Sequence, residues 1–105
     1  CFGLSAANDV PNRSYRFIEE ALELVQATGT SKEDVLRLVD YVYDRPVGEV
    51  DQEVGGVVIT LNALCSALRM DCDLLGEQEL TRVWKKVETI RAKDANKPKN
   101  SPLPQ

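Results

Sequence analysis

Three glutamates, Glu19, Glu20 and Glu23, stand within five consecutive positions of an otherwise apolar-striped segment, Phe17 to Val25. On a helix of ~100° per residue they fall within one sector of the surface. Like charges so placed repel, costing a few tenths of a kcal/mol per close pair, a penalty that a bound cation reverses. Hard carboxylate oxygens grouped in this way fit Mg²⁺ and phosphate chemistry. Glutamate-rich helix faces are also common as plain solvated surface, so the motif needs support from elsewhere in the chain.

Support comes from two later segments. Glu53 lies at the edge of an apolar helical face, beside a stripe of small residues at Gly56, Thr60, Ala63 and Ala67. Adjacent glycines Gly55 and Gly56 cost about 1 kcal/mol each against alanine inside a helix, so local stability does not account for them. Close packing of a helix or subunit explains them, and so does room for a substrate base or phosphate. The last third collects cations: Arg82, Lys85, Lys86, Arg91, Lys93, Lys97 and Lys99. Arg82, Lys86 and Lys93 share a helical face, which suits anionic phosphates, although a helix C-terminus favours cations anyway through its dipole.

Four helices are needed to position these groups. The first is expected from about Asn12 to Thr28, with Phe17, Ile18, Ala21, Leu22, Leu24 and Val25 as its apolar stripe and Gly29 as its stop. Ser31 followed by Asp34 reads as a capping-box-like start for the second, which buries Val35, Leu38, Val39 and Val42 and ends before Pro46 and Gly48. The third spans roughly Glu49 to Arg69. Its β-branched run from Val54 to Thr60 would also suit a strand, but the longer 3.6-residue spacing of Val54, Val57, Val58, Leu61, Leu64, Cys65 and Leu68 favours helix. The fourth begins near Asp71 or Asp73 and runs to about Ala95, with Leu80, Val83, Trp84, Val87 and Ile90 facing inward. The expected fold is therefore all-α, a four-helix bundle-type domain over 13–94 completed by oligomerisation. An N-terminal extension, 1–12, and a flexible C-terminal tail, 95–105, flank it. No internal repeat is evident in the residues.

Composition narrows the functional classes. The chain has 105 residues, one domain's worth, and no apolar run of the length a membrane span needs. A net charge of −4 argues against nucleic acid as a general electrostatic partner. The absence of histidine rules out His-based triads and the usual Cys/His zinc sites. Cys1, Cys65 and Cys72 show no CxxC spacing, and Cys65 reads as a buried small hydrophobe on an apolar face. A reducing cytoplasm fits these cysteines. No secretory signal is expected, while an opening Cys1 in place of Met is what a trimmed or partial chain would show.

The EEALE run at Glu19–Glu23, followed by Glu53-Val54-Gly55-Gly56 opening an apolar helix, resembles the EExxE…ExxD signature of the MazG-like nucleotide pyrophosphohydrolases, the all-α NTP pyrophosphatases. The resemblance extends from Arg13 to Lys93. It implies a hydrolase that splits a nucleoside triphosphate into a nucleoside monophosphate and pyrophosphate with Mg²⁺, for which Mn²⁺ can substitute. It places Glu19, Glu20, Glu23 and Glu53 at the metal-site positions, with a first-helix glutamate as base on the attacking water. Lys86, then Arg91 or Lys93, would hold substrate phosphates. The family pattern has aspartate where this chain has Gly56, which offers no ligand; Glu49, one turn before Glu53, or Asp40 are candidate replacements. A homodimer or homotetramer sharing the site is implied by the small size of the domain. Two other readings use the same residues: a helical oligomer that binds nucleotide or a protein partner with a degenerate metal site, and a plain interaction bundle with surface acids.

Overall fold

The computed structural model describes residues 8–96, and within them the chain is all-helical. Four helices follow one another: α1 (Val10–Ala27), α2 (Lys32–Tyr43), α3 (Val50–Ala67) and α4 (Cys72–Asn96). Of the expected extension, 1–12, and tail, 95–105, the residues up to 7 and from 97, including Lys97 and Lys99, lie outside the described residues. The chain divides into two units, Cys1–Gly48 and Glu49–Gln105, each a helix–turn–helix.

In the first unit, α1 starts earlier than its apolar stripe. Asp9 is its N-cap, its carboxylate accepting from the Asn12 amide at 3.1 Å, and Pro11 occupies the first turn, where a missing N–H costs nothing. The helix ends in a Schellman motif. The Thr30 amide donates to Val25 O and the Gly29 amide to Gln26 O, both at 3.0 Å, with Gly29 at φ +96°. Ser31 caps α2 by accepting from the Asp34 amide at 3.1 Å, as its spacing implies. α2 stops at Tyr43, short of Pro46, where the Arg45 guanidinium stacks 4.4 Å from the Tyr41 ring centroid.

The second unit repeats this plan forty positions on, although the residues do not announce it. α1 and α3 each have 18 residues. A second Schellman motif closes α3: the Met70 amide donates to Cys65 O at 2.8 Å and the Arg69 amide to Ser66 O at 3.0 Å. Here the left-handed position, φ +57°, is held by Arg69 instead of glycine. Asp71 then caps α4 through the Leu74 amide at 3.0 Å, which settles the start left open between Asp71 and Asp73. α3 and α4 turn through 101° at this corner, so they diverge from it and do not lie along one another.

The burial expected of the apolar stripes is not seen within the described residues. The residues assigned to a core are not enclosed: among the described residues none is buried. Phe17 of α1, Ile59 of α3 and Trp84 of α4 remain 52%, 70% and 55% exposed. The most sheltered side chains are half-buried and gather mainly beside the turns, with Leu24, Val25 and Val35 in the first unit and Leu64, Cys65 and Cys72 in the second. In the second unit, the 101° corner between α3 and α4 presses only its inner end together. No single helix among the described residues is long and apolar enough to cross a membrane.

Candidate functional site

The candidate residues divide between the units. Glu19, Glu20, Glu23 and Asp40 belong to the first, on α1 and α2; Glu49, Glu53, Lys86, Arg91 and Lys93 belong to the second, on α3 and α4. All are exposed. Glu19 has a nearby cation, with Arg16 Nη1 at 3.7 Å from its Oε1, an exposed pair of small energetic weight. Glu20 and Glu23 follow on the same side of α1, flanked by Ala21 and Leu24, which are half-buried. The three acids thus border the apolar stripe, as their spacing implies. A shallow open depression on α1, lined by Val10, Arg13, Ser14, Phe17 and Ile18, contains none of them.

In the second unit, Glu49 is the N-cap of α3, and its backbone oxygen accepts from the Glu53 amide at 2.9 Å. Its own side chain makes no capping bond, which leaves the carboxylate uncommitted. Asp51 and Glu53 fall in the first helical turn, where the helix dipole favours acids whatever else they do. Gly55 and Gly56 sit in open space: a Cβ at either would meet nothing within 4 Å. Among the described residues, then, no close approach requires them. Thr60 turns its hydroxyl back into the helix, donating to Gly56 O at 2.8 Å and lying 3.2 Å from Val57 O, so it is not offered to a ligand.

On α4, Arg82 is paired with Glu79, while Lys86, Arg91 and Lys93 are exposed cations along the same helix. Acids and cations of the proposed kinds are therefore present in kind. Among the described residues no group of three or more His, Cys, Asp or Glu side chains is gathered closely enough to hold a metal ion. Hard oxygen donors suit Mg²⁺ by chemistry, and Gly56 adds no donor.

One pair went unnoticed in the residue pattern. Cys65 and Cys72, seven positions apart, are brought together by the α3–α4 corner, both half-buried and free. The Cys72 thiol is held above its ordinary range, first by a side-chain hydrogen bond with Cys65, then by partial desolvation and by the negative charges of Asp73 and Asp71. Cys65 is therefore only half-sheltered, not the buried hydrophobe its apolar face implied. Reading the third residue from a helix end against the first residue of the next helix would have found the pair. The chain matches no protein-family model, no curated protein and no solved structure.

Proposed function

We propose that the protein is a metal-dependent nucleoside triphosphate pyrophosphohydrolase whose site is completed when copies associate as a homodimer or homotetramer. The observation that carries this reading is the placement of Glu19, Glu20 and Glu23: exposed, on one sector of α1, bordering an apolar stripe whose Phe17, Ile18 and Leu22 remain exposed. A second copy laid on such stripes would form a helical bundle and bring acids from several helices together. Glu19, Glu20, Glu23 and Glu53 would hold Mg²⁺ or Mn²⁺, with Glu49 or Asp40 in place of the ligand that Gly56 lacks. Bound there, the cation would neutralise the triphosphate. A first-helix glutamate takes the proton from the attacking water, and Lys86, with Arg91 or Lys93, orients the phosphates. Open space beside Gly55 and Gly56 leaves room for a base or phosphate.

Gly56 itself favours a second reading, a non-catalytic nucleotide- or protein-binding helical oligomer with a degenerate metal site. Incubation with a panel of NTPs and dNTPs plus Mg²⁺ or Mn²⁺ separates the two. Nucleoside monophosphate and pyrophosphate are expected, with loss of product in Glu20→Gln and Glu53→Gln. Metal binding without product from any nucleotide would leave the binding oligomer standing instead. Gly56→Asp sharpens the test: increased turnover identifies the missing ligand, and unchanged turnover assigns its role to Glu49 or Asp40.

A further inference from the structure

We propose that Cys65 and Cys72 form a reversible thiol–disulfide pair that clamps the corner between α3 and α4. The corner presents the two thiols to each other through backbone structure that neither cysteine side chain creates. Cys65 is the third residue from the end of α3, and its carbonyl is tied to the Met70 amide at 2.8 Å. Cys72 is the first residue of α4, immediately after Asp71, whose carboxylate and carbonyl hold the Leu74 and Leu75 amides at 3.0 and 3.1 Å. Cys65 lies near enough to be the largest influence on the Cys72 thiol, and both are among the few described half-buried side chains of the second unit. Forty positions earlier, the matching corner carries Val25 and Lys32, so the fold itself has no need of sulfur at these places. Two thiols without a third ligand nearby among the described residues do not make a zinc site.

The oxidant is a low-molecular-weight disulfide of the oxidised-glutathione class. One cysteine thiolate attacks a sulfur of that disulfide and expels one thiolate, leaving a mixed disulfide on the protein. The second cysteine then attacks the protein sulfur and expels the other thiolate. Two protein thiols and one small disulfide become one protein disulfide and two small thiols, the two protons passing to the departing sulfurs. Cys72, whose thiol is held above its ordinary range beside Cys65, is the later nucleophile. The exchange stands apart from the pyrophosphohydrolase reading and requires no nucleotide.

The full chain, as wild type and as Cys1→Ser, should be equilibrated with mixtures of oxidised and reduced glutathione, quenched with acid and cut with trypsin. Arg69 lies between the two cysteines, so cleavage there leaves two peptides joined only by the disulfide. We expect this joined pair to dominate in buffer regardless of protein concentration, to vanish with dithiothreitol, and to report an effective thiol concentration at least about tenfold above that in concentrated guanidinium. Oxidised protein should melt several degrees higher than reduced, about 5 °C or more, a gain absent from Cys72→Ser. Equal effective concentrations in buffer and guanidinium, separate glutathione adducts on each cysteine, or links only between copies would each overturn the proposal.

Discussion

The two helix–turn–helix units are built on one plan with different side chains. Both corners use a Schellman motif followed by a side-chain N-cap, and both shelter a leucine just before the turn, Leu24 in one and Leu64 in the other. In the first, glycine takes the left-handed position and valines close the inside. In the second, Arg69 takes it and a thiol pair closes the inside. The helices leading into the corners differ as well. α1 carries one apolar stripe opposite polar residues, whereas α3 exposes Val54, Val57, Val58, Ile59 and Leu61 over much of its circumference. A corner thus specifies a turn, and the helices beyond it specify how much apolar surface stays exposed.

The largest expected effect follows from α3. Val58→Asp places a charge in the apolar surface that association should cover, and its penalty of about 3 kcal/mol corresponds to roughly a hundredfold weaker assembly. Sedimentation velocity across a dilution series checks this; an unchanged distribution would mean that α3 is not an association surface. Next come the corners themselves, where opposite signs are expected. Gly29→Ala should lower stability by about 1 kcal/mol, since φ +96° strains any side chain. Arg69→Gly should raise it by about 0.5–1 kcal/mol. Both are read by urea denaturation at one fixed protein concentration, because association shifts apparent stability. Equal signs would break the equivalence of the two turns.

Capping is a smaller effect. α1 has Asp9 as a capping side chain and α3 has Glu49, which makes no capping bond. Glu49→Asp should therefore stabilise α3 by roughly 0.5 kcal/mol, whereas Asp9→Ala should cost α1 about 1 kcal/mol. Helicity by circular dichroism during thermal melts distinguishes the two. The smallest effect concerns pH. Because the Cys72 thiol is held above its ordinary 9.0, its contribution is fully present below that value and is lost as pH rises through the raised one. Once the general base catalysis of exchange is divided out, amide protection in the second corner should fall above that range relative to the first corner. Cys72→Ser should remove the difference between them.

Much of this was legible in the residues. All four helices, including α3 despite its β-branched run, follow from 3.6-residue periodicity, and Gly29 and Ser31 mark a stop and a start. The N-cap at Asp9 escaped notice because the stripe of α1 begins later than its hydrogen bonding. The exposure of the apolar stripes was not legible for a different reason. Periodicity says which side of a helix avoids water, not what covers it, and a divergent corner leaves Trp84 and Ile59 uncovered. The acids of the candidate site were individually readable on α1 and at the head of α3. No gathering of them is seen among the described residues, and helical periodicity does not encode one. The paired cysteines were missed because a separation of seven reads as a helical repeat until a turn falls between them.

The short reach of the corner hydrogen bonds has a kinetic consequence. The bonds that close each turn join residues no more than five apart, as from Met70 back to Cys65. Loops this short close in well under a microsecond, and helices grow on a similar scale. Each angle is therefore set while the chain is still alone. Were copies to associate as proposed, their encounter would be the slow event, second order in protein, so dilution would prolong maturation without altering the corners themselves.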